Sequence, residues 1–256
     1  MRRGALVDGL RLGFGTLTLL PVRPPGSVDR PAAAVAMTAA VLPGAVVGLA
    51  AGTTSAVLLL VGVAPAITGF VAVGVAVLLT RFLHVDGLAD TADGLVAGHT
   101  AERALEVMHR GDVGPAGAGT LMLVLGGQAV AAGAVADAGH PWWAVVGLLT
   151  LAWAASRSVL ALLTAVGTRP AQAGGLGAGV LGSVPRPVCW VPAALLALLG
   201  LLTAGWAAAL AVLVAVTAAG LLAGHAHRRL GGLTGDVLGA GVEVALLAAL
   251  AVLTVL

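Results

Sequence analysis

The chain has 256 residues, 59% of them hydrophobic and only 9% charged, with a formal net charge of +2 at pH 7 and a mean hydropathy of +1.07. A soluble domain carries roughly 25% charged residues, so this composition excludes a soluble enzyme, a disordered chain and a free nucleic-acid-binding domain. All 13 basic residues are Arg, and so small a net charge beside a pI of 9.9 fits positive membrane-flanking loops better than nucleic-acid binding.

Apolar runs of about 20 residues each can cross a bilayer. Their number predicts an all-α, polytopic integral membrane helical bundle with about seven transmembrane helices, forming one domain over 1–256. Residues 5–20 are apolar but short and interrupted by Asp8 and Arg11. They read as an interfacial or re-entrant helix within an N-terminal interfacial segment, 1–32. Met1-Arg2-Arg3 leads soon to Pro21, Pro24 and Pro25 with no small-residue cleavage site, so no removable signal peptide is expected.

The spans are expected at 33–51, 56–80, 115–136, 142–165, 188–203, 206–223 and 237–256. Taken as one helix, 188–223 would run ~54 Å against a bilayer core of ~30 Å. A tight hairpin at Thr203-Ala204-Gly205 therefore divides it. Between the second and third spans, 81–114 forms a loop dense in acids. In it Thr100 is expected to cap a short amphipathic helix carrying Glu102, Arg103, Glu106 and Arg110, with Glu106 and Arg110 as an i,i+4 pair. The glycine-rich stretch 174–179 reads as a mobile loop, a candidate lid. Cys189 stands alone, which excludes a disulfide framework.

The arginines orient the bundle. Alternate connections fall on opposite sides, and twelve of the 13 arginines share one side, including Arg2, Arg3, Arg11, Arg81, Arg169 and Arg186. The connections at 52–55, 137–141 and 204–205 contain none. The positive-inside rule then makes the arginine-bearing side, the N-terminus and the active site cytoplasmic in a multi-pass cell-membrane protein. Arg157, inside the fourth span, is the exception.

Chemistry concentrates in two segments. In His84-Val85-Asp86-Gly87-Leu88-Ala89-Asp90-Thr91-Ala92-Asp93-Gly94 the three aspartates are spaced i, i+4, i+7, which stacks their carboxylates on one face of a helix. Such an array asks for a cation, and Mg²⁺, bound by a few carboxylates plus substrate phosphates, suits it. Gly231-Gly232-Leu233-Thr234-Gly235-Asp236 opens the last span, and Glu243 follows Asp236 by two turns on the same face. Gly232, Thr234 and Gly235 either meet a phosphate at the helix N-terminus or merely shape a turn. Glu243 and Arg157 are ionisable groups at membrane depth and thus candidate functional residues. Arg157 either clamps a phosphate or pairs with an acid. His225 and His227 have neither Cys nor acid beside them, which argues against zinc.

These motifs closely resemble those of the cobalamin synthase (adenosylcobinamide-GDP ribazoletransferase) family. The resemblance rests on the His84–Gly94 stretch, on Leu105-Glu106-Val107-Met108 with Gly111-Asp112-Val113-Gly114-Pro115, and on Ser156-Arg157. Gly175-Leu176-Gly177 and the 232–240 segment with Glu243 complete it. It covers almost the whole chain. The chain departs from the family pattern at Leu19, Arg110 and the run Val244–Leu247.

The resemblance implies joining of adenosylcobinamide-GDP to α-ribazole or its 5′-phosphate, giving adenosylcobalamin or its 5′-phosphate and GMP. It implies Mg²⁺ held by Asp86, Asp90, Asp93, Asp236 and Glu243, with Asp112 and Arg157 contacting substrate. His84 either serves as general base or orients Asp86. The lipid bilayer is a partner, nucleic acid is not, and homo-oligomerisation stays open. Two rivals remain on the residues alone. A CDP-alcohol phosphotransferase-like membrane lipid enzyme would add a second D-x₃-D pair, which 94–111 lacks. A multi-span transporter would place its ionisable groups near midplane on broken helices.

Overall fold

The structure is a computed structural model that describes residues 3–97 and 99–256, with Arg3, Gly175 and Leu176 described by backbone only. Arg2 and the Arg3 side chain, counted above toward the positive end, lie outside the described residues. The chain forms α1 (Arg3–Leu17), α2 (Arg30–Thr38), α3 (Val41–Leu60), α4 (Pro65–Leu79), α5 (Leu83–Ala97), α6 (Ala101–Met108) and α7 (Pro115–Asp137). There follow α8 (Trp142–Leu163), α9 (Gly175–Val180), α10 (Arg186–Cys189), α11 (Val191–Ala204), α12 (Trp206–Leu230) and α13 (Gly235–Leu253).

Among the described residues six helices or joined helices are long and apolar enough to cross a membrane, and α4 with α5, a pair bent by 95°, makes a seventh if the two are counted as one span. The all-α polytopic bundle expected from hydropathy is therefore the observed architecture. Helix α13 runs through its centre, packed on α5, α7, α8 and α12. On the outside, Trp142, Trp143, Trp190 and Trp206 remain exposed near helix ends, whereas Trp153 is fully enclosed. Amphipathic indoles belong at the two membrane interfaces.

The first two spans are placed differently from expectation. The first runs over Arg30–Leu60 and the next apolar helix, α4, begins at Pro65, so the turn is at 61–64 rather than 52–55. Gly62 takes φ +82° there and Pro65 starts the next helix at its first turn. The small residues at 52–55 instead continue α3. Ser55 Oγ donates back to the Ala51 carbonyl at 3.0 Å. Gly44, Gly48 and Gly52 form a small-residue seam, and a Cβ on Gly52 would lie 2.9 Å from Val146 Cα of α8. In lipid, helices associate through such close packing, so residues that resemble a turn are the contact surface. The relocated turn still carries no arginine.

The division of 188–223 holds: α11 ends at Ala204 and Gly205 takes φ +86°. Helix α12 continues beyond 223 to Leu230, and the last span covers Gly235–Leu253 rather than 237–256. The 174–179 stretch, expected as a loop, contains the short helix α9. Its Gly177 packs so closely on the start of α13 that a Cβ would meet Gly235 N at 2.5 Å. Thr100 caps α6 as expected, accepting from Arg103 N at 3.3 Å, and Arg110 Nη2 donates to Glu106 Oε1 at 3.2 Å.

Candidate active site

The acidic helix α5 is aimed by an elbow. Helix α5 turns 95° from α4, and Arg81 and Phe82 between them adopt left-handed φ values of +53° and +60°. For residues other than glycine this costs roughly 1–2 kcal/mol each, so surrounding contacts must hold it. Arg81 Nη2 donates to the carbonyls of Gly15 (2.7 Å) and Thr16 (3.2 Å) at the open end of α1. Leu19 N donates to Leu79 O at 2.8 Å beside them. The strained elbow thereby lays α5 across the arginine-side ends of α7 and α13.

Where α5 crosses α13, Gly87 faces Asp236. A Cβ on Gly87 would sit 2.8 Å from both Asp236 Cα and O, so only glycine lets the helices meet this closely. Asp86 is exposed, while Asp90 and Asp236 are half-buried. Partial burial, then the charges of Asp86, Asp236 and Asp93, push the Asp90 carboxyl from 3.8 up to about 6. The two predicted acidic segments thus converge on one electronegative spot.

Asp93 has a further task. Its Oδ2 accepts from Gly114 N at 2.7 Å and its Oδ1 from Gly117 N at 2.9 Å. Those amides are the N-cap and third residue of α7, and Gly114 has no side chain with which to cap its own helix. A carboxylate from α5 substitutes, gaining two charge-assisted bonds and the favourable end of the helix dipole. A Cβ on Gly114 would reach within 2.5 Å of Asp93 Oδ1, so glycine there makes room for the grip.

The glycine segment at 231–235 mainly joins loops. Leu233 N donates to Arg169 O and Ala171 N to Leu233 O, both at 2.9 Å. Gly232 is buried against Ala171. Thr234 Oγ1 caps α13, accepting from Val237 N at 3.2 Å, and Asp236 occupies the first turn. Asp112 is exposed on the connection into α7.

Behind the carboxylates lies a second, buried group. Glu243 stands about 10 Å farther along α13 than Asp236, at 1.5 Å per residue. Its carbonyl O and Oε2 accept from Gln128 Nε2 at 3.0 and 2.8 Å. Its Oε1 is 4.0 Å from His84 Nδ1. Arg157 Nη1 donates to Ser156 Oγ at 2.7 Å. Arg157, Gln128, Glu243, Thr80 and Trp153 line a cavity of about 10 Å³, room for about one water. His84, Arg157 and Glu243 are each at most 3% exposed. The structure therefore brings most of the sequence-predicted residues together as two groups, the more open Asp86, Asp90 and Asp236 and the enclosed His84, Arg157 and Glu243, while Asp93 is buried with both oxygens on α7 amides.

Two residues of this region escape sequence reasoning. Gln128 is a lone amide in an apolar span, and its polarity at that depth was the available signal. His109 donates from Nδ1 to Leu105 O at 2.6 Å, and its charge, when present, favours the ionised form of Asp90. Nothing in its local sequence marks it.

The donor chemistry fits Mg²⁺. Among the described residues no three His, Cys, Asp or Glu side chains are gathered tightly enough to cage an ion. Mg²⁺ needs no such cage, since it keeps several waters and is commonly bound by one or two carboxylates plus substrate phosphates. A cation would offset the neighbouring carboxylate charges that add to the effect of burial on Asp90.

Comparison with known proteins agrees with these motifs. The family model described as cobalamin-5-phosphate synthase matches residues 9–254. The adenosylcobinamide-GDP ribazoletransferase of Nocardioides sp. is 40% identical over 95% of this chain and 96% of its own length. The protein of that name from Bradyrhizobium diazoefficiens is 38% identical over 93% of this chain and 89% of its own. That from Corynebacterium efficiens is 35% identical over 94% and 88%. No solved structure gives a significant match. With a match across nearly its whole length and relatives this similar, the chain belongs to the cobalamin-5-phosphate synthase family.

Proposed function

We propose that the chain is an adenosylcobinamide-GDP ribazoletransferase of the cell membrane, with its active site on the cytoplasmic face and Mg²⁺ as cofactor. The observation that carries this reading is the approach of Gly87 to Asp236, which sets Asp86 and Asp90 beside a third carboxylate at the arginine-bearing end. That end is cytoplasmic by the positive-inside rule.

In the reaction a hydroxyl of α-ribazole, or of its 5′-phosphate, attacks the phosphorus attached to the cobinamide side of adenosylcobinamide-GDP. One P–O bond forms, the bond to GMP breaks, and the hydroxyl proton passes to solvent at this open face. Adenosylcobalamin, or its 5′-phosphate, and GMP result. Phosphoryl transfer demands positioning and charge stabilisation more than covalent participation. Mg²⁺ held by one or two of Asp86, Asp90 and Asp236 would offset the charge of the diphosphate and of the departing GMP.

The chain's own residues do the positioning. Asp93 fixes α7 to α5 and so holds the acidic helix in place. The start of α13, at Thr234 and Gly235, turns the positive end of a helix dipole toward the same spot, where a phosphate is favoured. Asp112, exposed two residues before the Gly114 that Asp93 grips, is within the region a large substrate would cover. His84 and Glu243 face each other beneath, where α5 seats on α13, and Arg157 lines the cavity beside Glu243; their burial keeps all three from bulk substrate.

The direct test is incubation of the membrane fraction with adenosylcobinamide-GDP, α-ribazole and Mg²⁺. Cobalamin and GMP are expected in equal amounts. Absence of both under varied metal and detergent, with the protein shown to be folded, overturns the reading.

A further inference from the structure

A lateral groove of about 610 Å³ opens where the spans Arg30–Leu60 and Arg186–Ala204 begin, between α1, α2 and the segment entering α10. Leu6, Ala34, Val35, Pro185 and Val188 line it, with Arg30 among them. That volume lies in the range that holds a small ligand. It lies apart from the α5–α13 carboxylates and shares no lining residue with them.

The groove has one charged end. Arg30 is the first residue of its span, which puts the guanidinium at headgroup depth. Ala34 and Thr38 follow at i+4 and i+8 on the same face, toward the acyl layer. The guanidinium reaches the opposite wall, for a Cβ on Gly182 would lie 3.5 Å from its Nη2. Neighbouring acids are engaged elsewhere. Asp29 Oδ1 accepts from Ala32 N at 2.9 Å, and Asp8 accepts from Gly26 N at 2.7 Å and from Ser27 Oγ at 3.4 Å. Among the described residues no carboxylate forms an ion pair with Arg30.

We propose that this groove is a binding site for one anionic phospholipid, its phosphate on Arg30 and one acyl chain along Ala34, Val35 and Val188. A guanidinium matches phosphate oxygens with two parallel donors. Basic pockets between spans on the arginine-rich side of a membrane protein select anionic headgroups. The apolar walls hold the chain without regard to headgroup, so selectivity rests on Arg30.

The test is retention of lipid by the intact protein. The chain is purified in mild detergent, equilibrated with equal amounts of phosphatidylglycerol and phosphatidylcholine, and the lipid still bound is weighed by native mass spectrometry. One phosphatidylglycerol per chain is expected in preference to phosphatidylcholine. Arg30→Gln should reduce that retention about five-fold, the worth of one arginine at an anionic surface. Ala34→Trp, which fills the groove below the arginine, should release the held lipid while helix content by circular dichroism is kept. Equal retention of the two lipids by the unaltered chain overturns the proposal. So does retention of phosphatidylglycerol by both folded variants at the unaltered level.

Discussion

Gln128 Nε2 donates at 2.8 Å to Glu243 Oε2, joining α7 to α13 inside the bundle where neither side chain meets solvent. The same nitrogen also reaches the Glu243 carbonyl at 3.0 Å, so one amide fixes both the backbone and the carboxylate of its partner. Because Glu243 in turn faces His84 of α5, this contact underlies the seat of the acidic helix. Gln128→Leu should leave a buried carboxylate short of a donor at a cost of about 1–3 kcal/mol. A lower thermal midpoint in micelles checks this. Glu243→Gln, which keeps an acceptor, should be milder than Glu243→Leu.

The grip of Asp93 on the start of α7 leads to a local expectation. Asp93→Ala removes both acceptors from Gly114 N and Gly117 N, and loss of a cap costs about 0.5–2 kcal/mol. Hydrogen exchange should quicken at the first amides of α7 and stay unchanged in α12. Uniform exchange in both helices would show that the cap carries no local weight.

The elbow offers a stabilising change. Phe82→Gly relieves a left-handed residue and should stabilise the α4–α5 turn, by up to roughly 1 kcal/mol once the added freedom of the unfolded chain is counted. Arg81→Ala acts in the opposite sense, freeing the Gly15 and Thr16 carbonyls. It should hasten proteolysis in the segment between α1 and α2. Limited digestion followed by mass spectrometry distinguishes the two outcomes.

Asp90 should make stability depend on pH and, if it holds the proposed ion, on Mg²⁺ as well. Its carboxyl sits above its ordinary value, at about 6, so the folded state favours the protonated form. The stability this contributes is fully present below the unfolded value near 3.8 and is lost as pH rises through about 6. Without divalent ions the thermal midpoint should therefore fall between about pH 4 and 6, and Asp90→Asn should flatten that fall. Mg²⁺ should raise the midpoint more at pH 8 than at pH 5, where protons compete for the same oxygens.

Hydropathy made the helical bundle and the hairpin at Gly205 legible in the sequence, because lipid imposes a length rule on every span. The i, i+4, i+7 aspartates and the Thr100 cap were legible because helix geometry alone relates those residues. The turn expected at 52–55 was misplaced because Gly52 and Ser55 serve interhelical packing and local back-bonding, which composition cannot separate from a turn. The bend at Arg81-Phe82 carries neither Gly nor Pro, and its left-handed backbone depends on α1 carbonyls 65–66 residues away. The split between open aspartates and the enclosed His84–Glu243 group likewise depends on tertiary depth, which residue spacing along one helix does not encode.

The most direct measurement is the Mg²⁺ dependence of GMP release from adenosylcobinamide-GDP and α-ribazole, comparing the unaltered protein with Asp90→Asn and Asp236→Asn. If α5 and α13 share one ion, both variants should need at least roughly tenfold more Mg²⁺ for half-maximal release, although the residues lie on different helices. An unchanged Mg²⁺ requirement in either folded variant would contradict the shared site.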